Sequence, residues 1–371
     1  MSNEILLVEI SKNKDSSRMI EVGDTITIKA IVKDNKSGIK SVSISFKNPS
    51  GSRTQHIALH PEKSTNIWEG NYIIQPTDES GVYKDFFITM TDNAGNQTYG
   101  WELLNDFKDK MIFTVNNISG GDTRPPEVVN AENTPKLVSV GDTLIIKVDV
   151  KDDLSGIRSV SISFKNPSGS RLQHVALQLD SLSNMWIGKY KVCTWDENGV
   201  YSEFFINLTD KAGNQTYGWN LSDSFKEKMI FTVNNSSGGD ITPPKILGAE
   251  ITPKIVSVGE NIWIKAEILD NLSGVNTISV SFKNPSGSRT QSVPLHLDET
   301  TKKWIGYYTV LTTDEGGNYD EFFINMTDKA GNNTYGWSLS DAFKDKLVFN
   351  INNNSGDIIP PQVKNIKIIT N

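Results

Sequence analysis

The sequence predicts an all-β chain of three tandem antiparallel β-sandwiches, and three observations predict it. The first is a block that recurs. Ser41–Arg53 and Ser159–Arg171 both read SVSISFKNPSGSR, and Thr277–Arg289 reads TISVSFKNPSGSR. The second is a constant step. Asp34, Asp152 and Asp270 lie 118 residues apart (152 − 34 and 270 − 152), and so do Trp68, Trp186 and Trp304. The third is an alternation of apolar and polar residues with period two, broken by turn clusters. Repetition of this kind argues for a spacer, a scaffold or a repeated binder, and against a single active site.

The alternation places the strands. Ile26, Ile28, Ala30 and Val32 alternate with Thr25, Thr27, Lys29 and Lys33; Val42, Ile44 and Phe46 alternate with serines and Lys47. Trp68, Gly70, Tyr72 and Ile74 share one face, as do Phe86, Ile88 and Met90, and Met111–Asn117 closes the unit. The runs are separated by Asp34–Gly38, Asn48–Arg53, Thr77–Gly81 and Asp92–Asn96, clusters of residues that tolerate turn dihedrals. Strands apolar on one face need a second sheet to cover them. A short helix is predicted over Asn105–Lys110, recurring at Ser222–Lys228 and Ser340–Lys346.

The steps divide the chain into residues 1–121, 122–239 and 240–356. Residues 357–371 read as a linker and the first strand of a fourth repeat that the chain does not contain. Each unit is long enough to bury its own core. The net charge of −7 and pI near 5.3 disfavour nucleic acid and anionic membranes as partners. No apolar run reaches the length of a membrane helix. Met1–Glu4 has neither the basic nor the long apolar region of a signal peptide. The single cysteine, Cys193, excludes an internal disulfide.

Tyr83, Tyr201 and Tyr319 each follow a turn and open a Phe-Phe-Ile strand, the place of a tyrosine corner or of a plain core tyrosine. Asp-x-x-Pro-Pro enters a repeat, Asp-x-x-Ser-Gly follows its second strand and Asp-x-Ala-Gly-Asn follows its penultimate strand. With these motifs the chain resembles the bacterial immunoglobulin-like repeats of adhesins, S-layer and other cell-wall-associated proteins, over about Ile5 to Asp357. The resemblance implies three immunoglobulin-like sandwiches exposed on or outside a bacterial cell.

The linkers Gly121–Pro126, Gly239–Pro244 and Gly356–Pro361 carry paired prolines, which favour extended and semi-rigid backbone. They predict an elongated array. Gln362–Asn371 is predicted to be an orphan strand. It is either the edge of a truncated array or a donor strand for head-to-tail self-association.

Calcium at the junctions is the leading site expectation. The loops after the second and penultimate strands lie at the pole where the linker arrives. This gathers Asp122, Asp152, Asp153, Asp210 and Asn214 in the second repeat, and Asp240, Asp270, Asp328 and Asn332 in the third. The first repeat keeps Asp34, Asp92 and Asn96 but has no incoming linker aspartate. Hard cations take several oxygen ligands; the competing reading is that these aspartates cap their own turns. The resemblance adds that some related adhesins carry interdomain calcium that stiffens the rod.

Trp101, Trp219 and Trp337 follow a Tyr-Gly pair in each repeat and are candidates for stacking on a sugar, against a role as core aromatics. A Lys–Asn crosslink would use Lys29, Lys147 and Lys265 with Asn117, Asn235 and Asn353, but Lys29 lies on the polar side of its strand. No hydrolase, phosphate-loop or Cys/His metal motif is present, and no histidine recurs in all three repeats. The reading is a non-catalytic extracellular stalk, surface-layer or adhesion segment that contacts a cell-wall or surface component, protein or polysaccharide. The alternatives are a carbohydrate- or protein-binding array that gains avidity from repetition, and an accessory region of a larger secreted enzyme.

Overall fold

Turn chemistry and alternation cut each repeat into short strands that wrap one apolar core. The computed structural model describes residues 19–63, 65–100, 110–218, 223–336 and 340–370. The second repeat shows the plan. Glu127–Thr134, Thr143–Lys151, Met185–Lys191, Leu172–Asp180, Ile157–Lys165, Phe204–Asp210 and Gln215–Thr216 are hydrogen-bonded in that order. Leu172–Asp180 pairs on both sides and carries the sheet around the core. A smaller sheet of Leu137–Ser139, Phe231–Asn234 and Gly199–Tyr201 covers the open face. The third repeat has the same order and the same registers.

The predicted faces are the buried ones. Leu144, Ile146 and Val148 meet Val160, Ile162 and Phe164, with Phe204, Ile206 and Leu208 from the penultimate strand. Phe164 is the hub. Tyr190 and Phe231 meet it edge-on at 5.1 and 5.4 Å between centroids, and Tyr201 stacks on Phe231 at 4.8 Å. The predicted helix is present at Asp223–Met229 and Ser340–Leu347. Lys226 and Lys228 sit in the last turn of the former, where they complement the helix dipole. Its counterpart over Asn105–Lys110 lies outside the described residues, Lys110 excepted.

The tyrosines are tyrosine corners. Tyr83, Tyr201 and Tyr319 donate to the backbone oxygens of Glu79, Glu197 and Glu315 at 3.0, 3.1 and 2.9 Å. A second tyrosine supports the adjoining turn: Tyr72, Tyr190 and Tyr308 donate to the carboxylates of Asp78, Asp196 and Asp314. Burial pushes those three carboxyl groups up, against the hydrogen bonds they receive.

Two expectations are corrected. The C-terminal strand is not an orphan. Gln362–Thr370 pairs antiparallel with Thr25–Lys33, bulges between Ile31 and Val32, and places Ile366 in the first core. It takes the position that Glu127–Thr134 and Lys245–Thr252 hold in their own repeats. The array is also not extended in this structure. The first repeat contacts the second, the second the third, and the third the first again through Arg289 and Ala94. Proline linkers fix each joint, and three like turns at like joints close a cycle.

Two predictions follow from the buried hydroxyl network. Tyr201→Phe leaves the carbonyl of Glu197 without its donor and lowers stability by about 1–2 kcal/mol, read by denaturant unfolding; an unchanged midpoint contradicts the corner. The raised carboxyl of Asp196 implies stability that is full below the unfolded carboxylate pKa and is lost as pH rises through the folded value. The triple variant Asp78→Asn, Asp196→Asn and Asp314→Asn therefore loses less stability than the parent between about pH 4 and neutrality. Parallel pH profiles would show that these groups do not couple to folding.

Candidate metal centres at the repeat junctions

Each joint begins with a Gly-Asp pair whose placement the preceding repeat dictates. A Cβ at Gly239 would lie 2.4 Å from the backbone oxygen of Asp196, and the residue has a φ of +82°. Only glycine lets the chain pass there. The next amide, on Asp240, donates to the Trp195 oxygen at 3.0 Å. These contacts aim the Asp240 carboxylate at the following repeat.

There it meets two loops. Asp240, Asp270 and Asp328 present carboxylate oxygens within 4.8 Å of one another; Asp122, Asp152 and Asp210 do the same one joint earlier. Asp122, Asp210, Asp240 and Asp328 are almost completely buried. Asp240 Oδ2 accepts the amide of Ser273 at 2.8 Å, and Asp122 Oδ2 that of Ser155 at 3.0 Å, so each linker aspartate caps the next repeat's loop. Asp270 Oδ2 accepts the Gly274 amide at 2.6 Å and Asp328 Oδ1 the Asn332 amide at 2.8 Å. Turn capping and clustering therefore coexist: at Asp152 and Asp270 one oxygen caps the loop and the other has no donor, while both oxygens of Asp210, Asp240 and Asp328 accept hydrogen bonds.

The left-over oxygens point to a cation. Oδ1 of Asp34, Asp152 and Asp270 is buried without a hydrogen-bond partner, and so is Oδ1 of Asn96, Asn214 and Asn332. Those asparagines are only 3, 4 and 5% exposed. Buried oxygens without a donor are costly, and several carboxylates this close repel. Burial pushes the carboxyls of Asp210 and Asp328 up, with the charges of Asp122 and Asp240 adding to the effect against their hydrogen bonds. The clustered atoms are carboxylate oxygens, with a buried asparagine beside them that donates its Nδ2 to one of the carboxylates, and an all-oxygen set of this kind fits a hard divalent cation such as calcium.

The first repeat has the same cluster, completed from an unexpected direction. Asp34 and Asp92 are joined by Asp357 of the last linker. Asp357 Oδ2 accepts the Ser37 amide at 2.9 Å, and Asn96 Nδ2 donates to the Asp357 oxygen at 3.1 Å. Asp153, expected among the ligands, lies outside the cluster; it is exposed and faces Arg124 at 3.7 Å. Trp101, Trp219 and Trp337 lie outside the described residues. Lys29 pairs with Glu69 at 2.7 Å, while Asn117 donates to the Pro76 and Asp78 oxygens, so these two do not form the geometry of a crosslink.

Sequence reasoning missed the arginine that ends the recurring block. Asn166 Oδ1 accepts the Arg171 amide at 2.9 Å and holds the turn. The Arg171 guanidinium donates to the Trp195 oxygen at 3.1 Å in its own repeat and to the Ala330 oxygen in the next. Arg53 reaches Ala212 and Arg289 reaches Ala94 in the same way. Each acceptor belongs to the Asp-x-Ala-Gly-Asn turn that supplies two of the clustered side chains. The arginine therefore links a turn carbonyl of its own repeat to the next repeat's acidic turn. The signal was present in the sequence: the block runs past its strand through a turn and keeps arginine at the end.

Arg171→Met removes this latch while keeping a similar stem. Spin labels in the second and third repeats, measured in chelator, should give a broader distance distribution than in the parent. A distribution of equal width would show that the arginine does not set the joint.

Comparison with known proteins gives the family. The profile described as bacterial Ig-like domain matches three regions, 9–99, 112–218 and 232–337. No curated protein matches the chain. Among solved structures, murine CEACAM1b is similar at 15% identity over 63% of this chain and 100% of that one, with a TM-score of 0.18 that carries no argument. Three tandem matches over most of the sequence, each on one of the sandwiches, place this chain in the bacterial Ig-like domain family.

Proposed function

We propose that the chain is a non-catalytic structural and adhesion array of a bacterial surface, whose joints are locked by calcium. Repeats of this family suggest a surface structural role. The observation that supports calcium is the recurrence, at three joints, of three clustered carboxylates beside buried oxygens that lack a donor. At each joint the linker aspartate comes from one repeat and the other ligands from the next. A bound cation would tie two rigid bodies together and remove the repulsion among the carboxylates. Asp122, Asp152, Asp210 and Asn214 would hold one ion, and Asp240, Asp270, Asp328 and Asn332 a second. Asp34, Asp92, Asn96 and Asp357 would hold a third.

Extracellular calcium sites of this type draw their affinity from charge count and rigidity. The rigidity here comes from the Gly-Asp placement and the arginine latch. Equilibrium dialysis against calcium should saturate at three ions per chain, one per cluster. The variant Asp122→Asn with Asp240→Asn should retain one ion at the parent's affinity and bind the other two far more weakly. Absence of saturable binding in the parent, or three undiminished sites in the variant, would overturn the assignment.

A further inference from the structure

The outer faces of the three large sheets follow one plan, and the third departs from it at a single row. Asn261–Leu269 and Lys303–Thr309 pair antiparallel with Trp263 directly opposite Tyr307. At the same place the second repeat sets Ile145 opposite Lys189, and the first sets Thr27 opposite Asn71. Trp263 is 42% exposed and Tyr307 56%. Their ring centroids lie 5.1 Å apart, with the planes tilted by 43°.

The fold does not require aromatic rings there. Thr27 donates to Asn71 Oδ1 at 2.8 Å in the first repeat, and an isoleucine–lysine pair serves the second on the same register. The core side is unchanged, since Ile262 and Ile264 are as fully buried as Leu144 and Ile146. An exposed aromatic pair that two sister repeats do without is a surface feature in need of a partner.

The rows on either side are mostly polar. Thr309 lies opposite Asn261 and donates to its Oδ1 at 2.6 Å, which leaves the Asn261 amide nitrogen as a donor. On the other side, Glu250, Lys265, Ile305 and His296 lie across four adjacent strands.

Size decides between occupants. A protein partner needs about 800 Å² on each side, with an apolar centre. Two aromatic side chains of roughly 150–250 Å² each, about half exposed, offer on the order of 200 Å². The polar rows close that area in, so it suits one or two sugar rings. Charge narrows the choice further. Glu250 opposite Lys265 leaves the frame near neutral, and the net charge of −7 disfavours a polyanion. A pyranose with equatorial substituents turns bare C–H faces to aromatic rings, while its hydroxyls reach sideways to amide, carboxylate and ammonium groups.

We propose that the Trp263–Tyr307 pair is a carbohydrate-binding site for a neutral, β-linked chain of glucose, N-acetylglucosamine or xylose units. The two rings stack on sugar faces, and Asn261, Lys265 and Glu250 bind the hydroxyls at the rim. The tilt between the rings fits a single chain rather than a flat crystalline surface. The site belongs to the third repeat and uses no residue of the acidic clusters, so it stands apart from the calcium reading.

Isothermal titration calorimetry of the intact chain with cellohexaose, chitohexaose and xylohexaose tests this, in calcium and in chelator. At least one of the three should bind, and equally well in both conditions. The double variant Trp263→Ile with Tyr307→Lys carries the second repeat's own pair and should keep the parent's circular dichroism. Its affinity for that sugar should fall by about tenfold or more. Binding of none of the three sugars overturns the proposal, and so does equal affinity in parent and variant. It is also overturned if sedimentation shows a parent dimer that the variant does not form, which would assign the pair to a second copy of this chain.

Discussion

The structure depends on where one aspartate per linker is forced to sit. Its amide is held by the repeat behind it, and the glycine before it has no space for a side chain. One of its oxygens is held by an amide of the repeat ahead. A residue fixed from both sides converts a flexible connection into a hinge with one preferred angle. The paired prolines that follow stiffen the exit. Everything else at the joint, including the acidic cluster and the arginine latch, is built around that fixed carboxylate.

Fixing an aspartate there has an electrostatic consequence. Two further carboxylates approach from the loops after the second and penultimate strands, in a site from which water is largely excluded. Each loop satisfies one side of its carboxylate with its own amides, as turn aspartates do. One oxygen of the aspartate after the second strand is left without a donor, as is the Oδ1 of a buried asparagine whose Nδ2 donates to the penultimate-loop aspartate. A cation at this point turns a repulsive arrangement into an attractive one, and it does so between repeats. That is the position where binding energy changes the stiffness of the array more than the stability of any one sandwich.

Much of the fold was legible in the sequence because it rests on local rules. Alternation placed Leu144, Ile146 and Val148 on the buried face, and the turn before Phe-Phe-Ile placed the tyrosine corner. The clusters at Asp122 and Asp240 were legible because sandwich topology brings the loops after the second and penultimate strands to one pole. What was not legible depended on contacts between repeats. Asp153 has the right chemistry but turns outward to Arg124, since its neighbour Asp152 takes the loop's inward position. Arg171 looked like the polar end of a hairpin because its acceptor lies in another repeat. The partner of Gln362–Thr370 was hidden for the same reason: pattern alone identifies an edge strand but not which of three similar edges it joins.

The central claim is that the joints are preorganised anion clusters completed by a divalent cation. Calorimetric unfolding of the intact chain, in excess calcium and then in chelator, tests it most directly. A site filled at about a hundred times its dissociation constant adds roughly 2.7 kcal/mol. The account predicts a clear rise in transition temperature with calcium, with the repeats merging toward a more cooperative transition. Superimposable traces in calcium and chelator would contradict it and leave the aspartates as turn caps alone.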